Sequence, residues 1–201
     1  MKVSRSRLAL AALAVVAMQS PAFAHHPMDG KLPATLMEGL LSGLGHPVIG
    51  LDHLAAIVGV GILAAIAARG VAPVLAFGAA LIAGVALHVA KASLPAGELL
   101  VGLSTLAIGA LVMLRFGLKP AIAMALFAAA GLVHGYALGE AVVGAEASPL
   151  ISYLAGILVI QTAISLAAYF AVRRLSRPLT IAVGALVVLA GGVTAAAAAL
   201  I

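Results

Sequence analysis

The run LISYLAGILVIQTAISLAAYFAV, residues 150–172, holds no Asp, Glu, Lys, Arg or His. As a helix rising about 1.5 Å per residue it is long enough to cross the roughly 30 Å hydrocarbon core of a bilayer. Lipid offers no partner for a backbone N–H or C=O, so a span of this kind must satisfy those groups internally, as an α-helix does. Similar apolar segments recur on both sides, separated by short charged or Pro- and Gly-containing breaks. Upstream they cover about Gly50–Ala68, Val71–Ala90, Glu98–Leu118 and Pro120–Gly139, and downstream Pro178–Ile201. A shorter apolar stretch, Thr35–Gly45, precedes the first. The pattern predicts an all-α, polytopic membrane helix bundle of about six transmembrane helices, with a half-helix at its start and no soluble domain.

Composition points the same way. Of the 201 residues 65% are hydrophobic and 8% charged, far too little polar surface to coat a soluble globule. Cys and Trp are absent, which excludes disulfide frameworks, thiolate metal sites and Fe–S clusters. Any metal chemistry must use imidazole, carboxylate, backbone carbonyl or Met. The formal charge of +5 does not point to nucleic acid. Three of the eleven basic residues, Lys2, Arg5 and Arg7, crowd the start of the chain, leaving eight against six acidic ones.

Those three charges precede the apolar run Leu8–Met18 and then Ala22-Phe23-Ala24, a small-x-small pattern. This is the layout of a secretory signal peptide. Residues 1–24 are therefore expected to be removed, leaving residues 25–201 as one transmembrane domain that begins at His25. The alternative, an uncleaved anchor helix, is disfavoured because the apolar run is short against the roughly 20 residues a span requires.

A cleaved signal peptide places the mature N-terminus outside. The connections then expected inside, Arg69-Gly70, Arg115–Lys119 and Arg173–Arg177, carry six basic residues and no acidic one. Asp29, Glu38, Glu98, Glu140 and Glu146 fall outside, against Lys31 and Lys91. The positive-inside rule gives the same orientation and was not used to place the spans. The expected location is the inner (plasma) membrane of a bacterium, with both mature termini periplasmic. Gly131, Gly135 and Gly139, at four-residue spacing, predict a seam where helices approach closely.

Ionisable side chains within a span are costly, so each is a functional candidate. One group is His46-Pro47-Val48-Ile49-Gly50-Leu51-Asp52-His53. On an unbroken helix His46 and His53 would lie about 10 Å apart along the axis, too far to share an ion. Pro47 and Gly50 predict a broken first helix, which folds His46 back toward Asp52 and His53. A second group, His134 to Glu140, ends the fourth span, and Glu140 meets the same ligand as His134 if Gly139 ends the helix and turns it inward. His88 is a third candidate. Counted from the loops, all six residues fall in the external third of the membrane although they come from three helices. The bland readings are a helix-start cap for Asp52, a packing hydrogen bond for His134 and interfacial water for His88. Gln161, Thr162 and Ser165, near the middle of the fifth span, read as helix-to-helix contacts before path-lining groups. His25 and His26, beside the amine that cleavage would create, suit nickel or copper and form an external tip able to collect metal.

The two intramembrane motifs resemble those of the HupE/UreJ family of nickel permeases, associated with hydrogenase and urease systems. The family patterns are His-x5-Asp-His in the first span and Phe-His-Gly-x-Ala/Val-x-Gly-x-Glu in the fourth. Here they read His46 with Asp52-His53, and His134-Gly135-Tyr136-Ala137-Leu138-Gly139-Glu140, with Val133 in place of Phe and the Glu one position early. The resemblance covers essentially the whole chain. It implies a non-enzymatic transporter of nickel, or of a similar divalent metal such as cobalt, with His46, Asp52, His53 and His134 on the metal pathway. On that reading the metal is cargo, no cofactor is tightly bound, and the partners are the ion, the lipid and, in a homo-oligomer, further copies of the chain. No Gly-x4-Gly-Lys-Ser/Thr loop occurs, so the chain does not hydrolyse ATP through a P-loop. Two other classes remain open: a haem-binding electron carrier using the intramembrane histidines, and an intramembrane metalloenzyme, although His-Glu-x-x-His and Gly-x-Ser-x-Gly are absent.

Overall fold

A computed structural model describes residues 31–68 and 70–200. The expected signal peptide and the His25-His26 tip lie outside the described residues. Those residues form seven α-helices and no strand. They are α1 (Leu36–Ile49), α2 (Leu51–Leu63), α3 (Ala72–Val89), α4 (Gly97–Leu114), α5 (Pro120–Gly139), α6 (Ala147–Ala171) and α7 (Arg177–Ala198). Five of them, α3 to α7, are each long and apolar enough to cross a membrane. The chain is a multi-pass membrane helix bundle. Pro73, Pro120 and Pro178 occupy the first turns of α3, α5 and α7, where a missing N–H costs nothing.

The first two helices are long and apolar enough only when taken together, as a pair sharply bent at one residue. Helix α1 starts at a capping box, in which Thr35 accepts from the Glu38 N–H and the Glu38 carboxylate accepts from the Thr35 N–H. It runs on through Pro47 and stops at Gly50, whose ψ of 104° breaks the helical ladder. The break falls within the Pro47–Gly50 segment expected from sequence, and α1 runs on past Gly45, where the apolar stretch was expected to end. Gly50 N–H still bonds the His46 carbonyl, and the Gly50 carbonyl already accepts from Leu54 N–H, so one residue serves both helices. Across it the axis turns by 80°. Helix α2 then descends into a π-helical turn, Ala64–Ala68.

Three close helix pairs surround α2: α1 with α6, α3 with α5, and α4 with α7. Glycines set the spacing in each. A Cβ on Gly131 or Gly135 of α5 would strike the Phe77 or Leu81 carbonyl of α3. One on Gly43 of α1 would strike the Tyr153 carbonyl of α6, and one on Gly102 of α4 would strike the Ala195 backbone of α7. Helices that gain little from the hydrophobic effect in lipid gain van der Waals contact from such approaches. Helix α2 fills the middle, with Ala56, Val60 and Leu63 wholly buried. Large apolar side chains such as Leu75, Leu103, Ile151, Val159 and Leu186 point outward. Glu98, Glu140 and Glu146 lie at one end of the bundle, and Arg115, Arg173, Arg174 and Arg177 at the other.

Candidate functional site

The break at Gly50 brings the first motif together. His46, near the end of α1, and His53, in the first turn of α2, have ring centroids 6.2 Å apart, far closer than a straight helix allows. Asp52 starts the same turn, where its carboxylate meets the positive end of the helix dipole. All three are buried, as is His134 from α5. His134 joins the group directly: its ring centroid is 4.9 Å from that of His53, and the two Nδ1 atoms are 2.8 Å apart. Phe77 of α3 lies against the other side of His134, at 5.9 Å between centroids.

The surrounding hydroxyls decide where each imidazole carries its proton. Tyr153 donates its one hydroxyl proton to the Leu138 carbonyl (2.6 Å), so toward His46 Nδ1 (2.9 Å) it acts as an acceptor. His46 Nδ1 is therefore the donor to Tyr153. Ser104 and Thr105 both donate to the Val101 carbonyl, each at 2.9 Å. They face His134 Nε2 at 3.2 and 3.3 Å as acceptors, which puts the His134 proton on Nε2 and the lone pair on Nδ1. His53 Nδ1 must then donate to His134 Nδ1, which leaves the His53 lone pair on Nε2. Both imidazoles are thus held through Nδ1, the way a metal-ligating histidine is oriented through the nitrogen that does not bind the ion.

Asp52 is held in the same way. Its Oδ1 accepts from the His53 N–H at 2.8 Å, and its Oδ2 accepts from the Thr194 hydroxyl of α7 at 3.4 Å. The group draws on α1, α2 and α5 directly, with α4, α6 and α7 supplying the hydroxyls behind. Among the described residues no three His, Asp or Glu side chains are gathered as around one bound ion. Instead, the His53–His134 hydrogen bond holds the rings against each other.

The remaining sequence candidates lie elsewhere. His88 stacks on Tyr136 at 4.3 Å between centroids, and its Nδ1 is 2.6 Å from the Tyr136 carbonyl. Gly139 does end α5, but Glu140 opens a short 3-10 turn and is exposed. His25 and His26 lie outside the described residues. Sequence reasoning missed Tyr153, Ser104, Thr105 and Thr194. A signal was present, because each is a hydroxyl within an apolar span near its acidic end: Thr105 is about 12 Å into α4 and Thr194 about 6 Å from the end of α7. The depth argument applied to the histidines would have selected them too.

No curated protein and no solved structure matches the chain. The family model for the HupE / UreJ protein matches residues 13–200, and the chain belongs to that HupE/UreJ family.

Proposed function

We propose that this member of a family of membrane metal transporters and accessory proteins moves nickel, or a close relative such as cobalt, inward across the bacterial inner membrane. The observation that carries the reading is the meeting of His46, Asp52, His53 and His134 in the interior of a largely apolar bundle, with His46 and His53 each held through Nδ1. Imidazole nitrogen favours nickel and cobalt over magnesium and calcium, which prefer oxygen. The carboxylate offsets part of the charge of an ion that has lost its water. On arrival the ion is taken at Nε2 of His53, while the Nδ1–H bond to His134 keeps that ring in place. A divalent cation moving down an inside-negative potential gains about 4.6 kcal/mol per 100 mV, which suffices to drive entry without ATP.

A haem reading fits the geometry less well. Two axial ligands of one iron face each other across a porphyrin, and rings already in hydrogen-bond contact leave no space for one.

The test is transport by the purified protein in vesicles that enclose a nickel-quenched dye. Nickel should enter faster than in protein-free vesicles, faster still with an inside-negative potential, and magnesium should not compete. Absence of nickel and cobalt flux would sink the proposal. For orientation, the basic end carrying Arg173, Arg174 and Arg177 is assigned to the cytoplasm and both mature termini to the periplasm. A reporter fused after Ile201 should be active only in its periplasmic form; cytoplasmic activity would mean a miscounted span.

Tyr153→Phe is expected to keep the ring packing but remove the acceptor of His46 and the donor to Leu138. Two polar groups then lose their partner, a penalty of about 1–3 kcal/mol each when buried. Uptake at low nickel should fall about fivefold or more, while saturating nickel restores most of the rate. Unchanged half-saturation would show that Tyr153 does not position His46.

A further inference from the structure

The buried polar residues of α6 do not stop at Tyr153. Tyr153, Gln161, Ser165 and Tyr169 lie at multiples of four along one face, together with Pro149 and Ile157, so one buried stripe runs from the His/Asp group toward the basic end. Ser165 Oγ donates to the Ile57 carbonyl of α2 at 2.9 Å, which ties that stripe to the central helix. Gln161, one turn nearer the site and 1% exposed, behaves differently. Its Oε1 is, among the described residues, the only buried side-chain nitrogen or oxygen without a hydrogen-bond partner. Gly78 of α3 makes room for the amide: a Cβ there would stand 2.7 Å from Gln161 Nε2 and 3.1 Å from Leu158 Cδ1.

An amide that served to hold helices together would pair its acceptor, and an apolar side chain would fill an otherwise greasy position without leaving an orphan. We infer that the Gln161 amide oxygen, with the Ser165 hydroxyl and the Ile57 carbonyl one turn further in, forms a second station that receives the divalent cation from the His/Asp group and passes it toward the cytoplasm. This rests on the transport function proposed above. The station lies about 12 Å along α6 from Tyr153, beyond the reach of the first group's ligands. Its donors are neutral oxygens, which hold a divalent ion more weakly than imidazole and carboxylate do. A path that binds firmly at entry and loosely afterwards lets the ion leave, as conduction requires.

Initial rates of nickel entry into vesicles, measured over a range of nickel concentrations, test this with wild type, Gln161→Leu and Gln161→Glu. Gln161→Leu should lower the maximal rate about fivefold or more while the half-saturating concentration stays within about twofold, because the loading group is intact. Gln161→Glu should also slow transport, and after desalting it should retain more nickel per protein than wild type, because a carboxylate traps the ion. Wild-type rates for Gln161→Leu overturn the inference while leaving the transport function standing. Loss of both variants from the membrane, at normal wild-type transport, makes Gln161 a folding residue and overturns it equally. A wild-type protein that moves no nickel removes the transport reading, and this station with it.

Discussion

Asp52→Asn is expected to lower nickel uptake about tenfold or more while the folded protein in the membrane stays near its normal amount. Asp52 is the one carboxylate in the first motif, and it is buried. Asn keeps an oxygen to accept from the His53 N–H, and its shape preserves the packing against Thr194. What disappears is the negative charge, and charge-charge attraction weakens far less in a poorly polarisable interior than in water. Losing one charge-assisted contact costs about 1.5–3 kcal/mol. His46→Ala and His53→Ala should resemble it if the three act on one ion. Normal transport by Asp52→Asn, or failure only because the protein vanishes, would reduce Asp52 to a helix cap.

The same residues show how far a sequence reads. Charge-free runs such as 150–172 were legible because lipid leaves a backbone no other solution than the helix. The bend was legible because Pro47 and Gly50 sit between two buried imidazoles, and the break falls at Gly50. Position along each helix was legible too, since it follows from counting residues. Direction around the helix axis was not. His88 lies in the last turn of α3, as expected, but turns toward Tyr136, while His134, on the partner helix, turns toward His53. A single sequence does not say which helices are neighbours, so it cannot say which face looks inward. The hydroxyls were hidden for a further reason. Ser104 and Thr105 both return their protons to the Val101 carbonyl, as Ser and Thr commonly do in apolar helices, and only the fold reveals that His134 uses their lone pairs.

Helix pairing is where that missing information resides, and Gly135 is its most sensitive point. Gly135→Val is expected to reduce the folded, monodisperse protein about tenfold or more, and nickel uptake with it. A Cβ at this position would strike the Leu81 carbonyl oxygen and lie 2.6 and 2.7 Å from its C and Cα. Those atoms are backbone within α3 and cannot rotate aside. The contact is reciprocal, because a Cβ on Gly84 would strike the Leu132 carbonyl and stand 2.6 Å from the Tyr136 nitrogen. Helices α3 and α5 would have to separate along the seam, and lipid supplies little hydrophobic drive to hold them once close contact is lost. Gly135 also follows His134, so any α5 that survives carries that ring away from Ser104, Thr105 and His53. Gly117→Ala is the matched control, since a Cβ there meets nothing within 4 Å and should change neither amount nor uptake. A Gly135→Val protein that purifies in normal yield and transports nickel normally would mean that α3 and α5 are not zipped through this seam.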